Sequence, residues 1–179
     1  MVTHGEEVRQ RLLAAAVQLI PERGWSAVST RVLAERAGVT PSVVHYHYPS
    51  MRALLNDAVL AAMRQVLAAT ESFLDNASSP VEAVDGMLAS VEQYSGADPM
   101  SLLFIEAYLA ATRDQRLRDG INQVADGLRE RLGQWLAGHG VAEPAATAAV
   151  LVASVDGLLL HRGLGAEVDA RSVIRRLVN

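Results

Sequence analysis

The chain has 179 residues, half of them hydrophobic and 4% aromatic, with no cysteine and a formal net charge of −4. Its length sets a prior of one domain or two small ones. The missing cysteine excludes disulfides, thiolate metal sites and a Cys nucleophile, and the weak acidity excludes a protein that coats nucleic acid indiscriminately. No uninterrupted apolar run reaches ~18 residues, so no membrane span is expected. No basic segment followed by a hydrophobic one opens the chain, so the expectation is a cytoplasmic protein.

Residues 3–23 read as the first helix. Thr3 and Glu6 have capping-box spacing, and Val8, Leu12, Ala15, Ala16 and Leu19 form an apolar stripe. Pro21 withholds one backbone donor near the helix end. Gly24 terminates the helix, and Trp25 and Val28 are expected to pack beneath the helices that follow. Ser29 is a good N-cap for the next helix, on which Val32, Leu33 and Ala37 make one apolar face. Gly38 ends it where a left-handed residue is needed. Thr40 is the next expected N-cap and Pro41 takes the first helical position, where its missing N–H is harmless. Val43, Val44 and the run His45, Tyr46, His47, Tyr48 follow, Pro49 stops that helix, and Ser50 caps another.

A long helix is expected from Ser50 to about Asn76, carrying Leu54, Leu55, Ala58, Val59, Met63 and Phe73. Asn76 to Pro80 reads as a loop. Four more helices are expected beyond it. One covers 80–94. A second, 99–112, is apolar nearly all round, as suits a helix that is buried or lines a cavity. A third, 114–138, has the cleanest stripe (Leu117, Ile121, Val124, Leu128, Leu132, Trp135). The fourth, 144–162, opens at Pro144 and places Ala149, Ala153 and Gly157 on one small-residue strip. A short amphipathic helix over 169–178 closes the chain. The fold class is therefore all-α, with about nine helices.

A helix, a tight turn containing Gly and a short second helix make a helix-turn-helix, whose second helix suits the DNA major groove. The pattern Leu33-Ala34, Ala37-Gly38-Val39-Thr40, Val44, His47-Tyr48, Ser50 and Leu54, with Leu13, Ala16, Leu19 and Gly24 upstream, resembles the TetR family of one-component transcriptional regulators. The resemblance covers roughly residues 9–56. It implies a three-helix DNA-binding head over residues 1–50 and a helical ligand-binding and dimerisation body over 51–179. It further implies a homodimer on a palindromic double-stranded operator, released by a small-molecule effector as a repressor. No cofactor is implied. Residues 1–56 carry a formal charge of +2 and the remainder −6, which places the positive part on the expected DNA side.

By this resemblance the DNA-binding residues are Ser29, Arg31, Thr40, Pro41, Ser42, Val43, His45, Tyr46, His47 and Arg52, with Arg36 adding charge. The second helix has no Arg, Lys, Asn or Gln for bidentate base contacts, so thymine-methyl contacts from Pro41 and Val43 are expected. Met51 stands where the family commonly has Lys, and Arg52 beside it is expected to take over that phosphate contact. His45 stands where Tyr is frequent. The effector pocket is expected to involve Met63, Met87, Tyr94, Phe104, Tyr108 and Asp126, with Gln93, Glu106, Asn122 and Asp126 as buried polar groups. The dimer interface is expected at Leu128, Trp135, Ala149, Ala153 and Gly157. Two other classes stand beside this one. A helical ligand-binding protein that has lost DNA binding would also lack strong base-reading side chains. An enzyme would need a Gly-rich phosphate loop, a nucleophile elbow or a paired-carboxylate site, and the sequence has none. His45 and His47 are two residues apart on a helix and diverge, so they make no metal pair.

Overall fold

The computed structural model describes residues 4–179, apart from the side chains of residues 69–73. Thr3 and the Phe73 side chain thus lie outside the described residues. Among the described residues, nine α-helices and two 3-10 turns run in the order α1 (His4–Arg23), a 3-10 turn (Trp25–Ala27), α2 (Thr30–Ala37), α3 (Pro41–His47), α4 (Met51–Asn76), α5 (Pro80–Glu92), α6 (Pro99–Ala111), α7 (Gln115–Gly138), α8 (Pro144–Gly163), α9 (Arg171–Ile174) and a 3-10 turn (Arg175–Leu177). The described residues contain no strand, and the architecture is all-α.

Helix starts follow the punctuation of the sequence, since Pro at N1 sacrifices no hydrogen bond. Pro41, Pro80, Pro99 and Pro144 each open a helix. The first free N–H groups are taken by short side chains. Ser50 Oγ accepts from Ala53 N at 3.1 Å, Ser79 Oγ from Glu82 N at 3.2 Å, and Asp98 Oδ1 from the N–H groups of Met100 and Ser101, both at 3.0 Å. Burial alone would raise the Asp98 pKa, but these bonds and one from the Ser101 hydroxyl hold it below the usual carboxylate range.

The chain divides into two compact units. One comprises Met1–Met63 and Leu102–Gly120. Its fully buried side chains include Leu12, Leu19, Ile20, Leu33, Leu54, Val59, Leu103 and Leu117. Trp25 is only half-buried, so the expectation of a core tryptophan is corrected, whereas Val28 is buried. The Trp25 backbone N–H donates to Glu106 Oε2 on α6 at 2.8 Å.

The other unit comprises Arg64–Ser101 and Ile121–Asn179. Its core gathers Leu74, Val84, Met87, Leu88, Leu132, Leu136, Leu151, Ile174 and Val178, each large aliphatic side chain contributing roughly 1.5–3 kcal/mol on full burial. Two devices fasten its C-terminal segment. Arg171 and Arg175 both reach Asp85, and Arg171 also reaches Glu92 at 2.6 Å. The Arg175 hydrogen bonds are the main cause that lowers the Asp85 pKa. The end of α8 meets the loop after α5, where Arg162 donates to the carbonyls of Val91 and Tyr94 at 2.8 and 3.0 Å.

One expectation needs amending. Helix α8 is long and apolar enough, by length and composition, to cross a membrane, with a mean hydropathy of 1.5 and 17% of that window buried in the chain. Counting only uninterrupted apolar runs missed it, because single polar residues such as Thr147, Ser154 and Asp156 break the run without lowering the average much.

Gly96 has φ +78, and a Cβ there would lie 2.3 Å from Gly163 N and 2.4 Å from the Leu159 carbonyl oxygen. Backbone strain and a backbone clash therefore coincide at one site. Gly96→Ala should destabilise the protein by about 2–4 kcal/mol, read as a lower denaturation midpoint at unchanged m-value. A loss below ~0.5 kcal/mol would mean that the two backbones do not meet this closely.

Candidate nucleic-acid interface

The turn between α2 and α3 is built by Gly38. Its φ of +67 and ψ of +39 place it in the left-handed region, which Gly enters without a Cβ penalty. The Val39 N–H donates to the Ala34 carbonyl at 3.0 Å and the Gly38 N–H to the Glu35 carbonyl at 3.2 Å, closing the end of α2 in a Schellman arrangement. Ser29 caps the start of α2, accepting from Val32 N at 3.4 Å. Thr40 has the extended backbone of an N-cap, and its carbonyl accepts from Val43 N at 3.0 Å. Its hydroxyl, however, bonds to Ser42 Oγ at 2.9 Å and makes no bond to the helix backbone. The expected Thr40 side-chain cap is thus corrected: the neighbouring hydroxyl competes successfully for it.

Helix α3 is held from its C-terminal side. Val44 and Tyr48 are buried. The Tyr48 phenol oxygen accepts from Arg9 Nε at 3.0 Å, and the Arg9 guanidinium, 5.5 Å from the ring centroid, also pairs with Asp57 at 3.0 Å. Burial pushes the Tyr48 phenol above its ordinary value, against the pull of Arg9.

What remains outward is a surface of short polar and apolar groups. Ser29, Arg31, Thr40, Pro41, Ser42, His45, Tyr46 and Arg52 are exposed, while Val43 and His47 are half-buried. Tyr46 is the extreme case at 86% exposure, its ring edge-on to His47 at 5.2 Å. All ten expected DNA-binding residues therefore lie in one unit, on α2, α3, the residues that cap them (Ser29, Thr40) and the start of α4. Arg36 is engaged elsewhere: its guanidinium grips Glu22 with bonds of 2.9 and 2.6 Å, so its charge is neutralised within the chain. Arg52 keeps an exposed side chain, with Asp114 at 3.7 Å. Sequence reasoning missed Arg9, Asp57 and Asp114, and it missed the Trp25 partner of Glu106, because these partners lie far away along the chain.

Two family models match the chain. One, described as bacterial regulatory proteins of the tetR family, covers residues 12–58. The other, described as the tetracyclin repressor-like C-terminal domain, covers residues 78–179, more than half of the chain. The chain belongs to the TetR family of transcriptional regulators. Among similar proteins, HTH-type transcriptional regulator BetI of Brucella suis is 25% identical over 177 residues, 93% of this chain and 85% of the relative. Nucleoid occlusion factor SlmA of Vibrio campbellii is 22% identical over 129 residues, 72% of this chain and 66%, just under two thirds, of the relative. The crystal structure of SCO7518 from Streptomyces coelicolor A3(2), described there as a transcriptional regulator, aligns with a TM-score of 0.78 at 29% identity, covering 96% of each chain. Members of the TetR family are transcriptional regulators and not enzymes.

The body of this TetR-family chain places the other expected residues as follows. Met63, Phe104 and Tyr108 belong to one unit, and Met87, Tyr94 and Asp126 to the other. Met87 sits in the core cluster. Asp126 is exposed and pairs with Arg129 at 2.8 Å. Gln93 and Asn122 are also exposed, so the expectation of three buried polar groups there is corrected, and the half-buried Glu106 is occupied by Trp25 N. None of the six residues lines either of two grooves seen among the described residues of the second unit. One groove, about 350 Å³, runs between α4 and α7 and is lined by Arg64, Leu67, Ala68, Gln123, Val124, Gly127 and Leu128. The other, about 390 Å³, lies beside α5, α8 and the segment Glu167–Arg171. Of the expected interface residues, Ala149 and Ala153 are exposed and Gly157 is half-buried with open space beside it. Leu128 is already buried, and Trp135 stacks on His139 at 3.9 Å.

The two neighbouring tyrosines of the α3 region should separate cleanly. Tyr48→Phe removes a buried hydroxyl from its partner and should lower stability by about 1 kcal/mol. Tyr46→Ala, at an exposed site, should change it by less than ~0.5 kcal/mol. Urea denaturation of both variants checks this, and equal losses would contradict the assignment of anchor and free face.

Proposed function

We propose that this protein is a sequence-specific repressor that binds a palindromic DNA operator as a twofold homodimer and is released by a small-molecule effector in the cytoplasm. The observation that carries the reading is the α3 surface. A helix fixed by Gly38, Val44 and Tyr48 presents Thr40, Pro41, Ser42, Val43, His45, Tyr46 and His47, with Arg31 and Arg52 exposed beside it. Phosphate contacts from Arg31 and Arg52 set register, while single hydrogen bonds and methyl contacts from α3 read bases. In this division of labour residues 1–50 read DNA, and residues 51–179 bind the effector and the second copy.

The α4–α7 groove supports the effector role. Leu67, Val124 and Leu128 form an apolar wall, and Arg64 and Gln123 are polar groups that orient a ligand. The exposed strip Ala149, Ala153, Gly157 supports the dimer, because small residues allow close helix approach. A twofold pair would set its reading helices about 34–36 Å apart or a multiple of that distance. Effector and DNA then oppose each other reciprocally, each weakening the other's binding by the same factor. The lack of any bidentate base-reading side chain on α3 favours a second reading, a ligand-binding protein without operator recognition.

Three experiments test this. Selection of bound fragments from a random DNA pool at near-physiological salt should enrich one palindrome; a folded dimer that enriches nothing would favour the second reading. Arg52→Ala should weaken binding to every DNA sequence and reduce the salt slope by about one; an unchanged slope would remove Arg52 from the interface. Ala153→Arg should yield monomers in sedimentation analysis while leaving helical content intact. Dimers that persist would place the interface elsewhere.

A further inference from the structure

Arg52 and Asn56 stand one helical turn apart at the start of α4, and both reach Asp114 at the head of α7. Asp114 Oδ1 accepts from the Leu117 backbone N–H at 3.1 Å, and its Oδ2 accepts from Asn56 Nδ2 at 3.2 Å. The same Oδ2 lies 3.7 Å from Arg52 Nε. The carboxylate is 13% exposed and the arginine side chain 75%. Asp114 is thus a fixed anion, and Arg52 is an exposed cation lying against it.

Asn56 explains why the anion is fixed. Its side chain is 4% exposed, and its Oδ1 has no hydrogen-bond partner among the described residues. A buried, half-satisfied amide is destabilising by itself, so the half that is used, the donor to Asp114, is the part with a role. Burial works to raise the Asp114 pKa, but the Leu117 N–H, Asn56 and Arg52 together hold it below the usual range, so it is ionised at neutral pH.

A carboxylate presents to a guanidinium what a DNA phosphate presents: negatively charged oxygens that attract it. We propose that Asp114 is an intramolecular competitor of DNA phosphate for Arg52, a positioning residue that tempers DNA affinity from the α6–α7 turn. The proposal rests on Arg52 being a phosphate contact. An exposed pair of this kind is weak, so the effect is about two- to fivefold in affinity. It acts on all sequences alike, because phosphates carry no sequence information.

The probe is a mixed-sequence duplex, titrated by fluorescence anisotropy at several salt concentrations against the full chain. Asp114→Asn keeps an acceptor oxygen for the Leu117 N–H, and its NH2 can donate to Asn56 Oδ1 once the Asn56 amide flips, so it loses the charge but not the cap; Asp114→Ser is a second neutral N-cap. Both should bind about two- to fivefold more tightly than the parent at low salt, with the gap closing as salt rises. In an Arg52→Ala background the same substitutions should have no effect. A gain that persists in that background would be general charge removal and would overturn the proposal. So would binding that depends on Arg52 but ignores Asp114, and that result would leave the operator reading standing. If the parent and every variant fail to bind any duplex, the operator reading falls and takes this proposal with it.

Discussion

Helix α3 has seven residues, too few to hold itself together in water, where isolated helices below ~12–15 residues are marginal. Its orientation must therefore be imposed by contacts made elsewhere. The buried ring of Tyr48, with Arg9 bridging it to Asp57, supplies them at one end. Gly38 and Pro41 supply them at the other. This constraint matters because the exposed groups on α3 are short. Ser, Thr, Val and Pro side chains have little reach, so an error of an ångström in the backbone could not be absorbed by a side-chain adjustment, as a long Arg or Lys would allow.

The same arrangement changes the electrostatics from what residue counts imply. The first 56 residues are formally +2, but Arg9 is held by Tyr48 and Asp57, and Arg36 is held by Glu22. Arg31 and Arg52 are the expected DNA contacts whose charge is exposed, and Arg52 has Asp114 nearby. A small number of phosphate contacts predicts a shallow salt dependence. On the proposed reading, discrimination between sequences would then fall to the fit of the α3 face, with little contribution from a broad positive field.

The helix-turn-helix was legible because its signals are local. Gly38, Pro41, Pro49 and Ser50 each act within a few residues, and the apolar spacing around them is unambiguous. The polar fasteners were not legible for the converse reason. Arg9 and Tyr48 are 39 residues apart, Asn56 and Asp114 are 58, and Glu106 and Trp25 are 81, and such pairs leave no periodic trace. Asp126 is a different case. It lies two residues from both Val124 and Leu128, about 200° around the helix from the apolar stripe, so its exposure was already implied by the pattern that marked its neighbours as buried. Thr40 shows the limit of cap rules: a hydroxyl two residues away took the bond that the rule assigns to the backbone.

Helix α8 poses the last question of balance. Its residues are apolar enough for a bilayer, yet only 17% of its apolar window is buried, and Val150 and Leu160 stand about half exposed. Water is a poor final environment for such a surface. A membrane and another protein surface would each remove it from water, but they treat Asp156 differently. An aspartate near the middle of a spanning helix carries a penalty of roughly 2.5–3.5 kcal/mol on insertion scales, whereas at a protein interface it can sit at the wet rim. The small residues Ala149, Ala153 and Gly157 do not separate the two, because strips of this kind let helices approach closely in lipid as well as in water. Asp156 is therefore the residue of α8 that weighs most against a bilayer, whatever the average hydropathy of the helix around it.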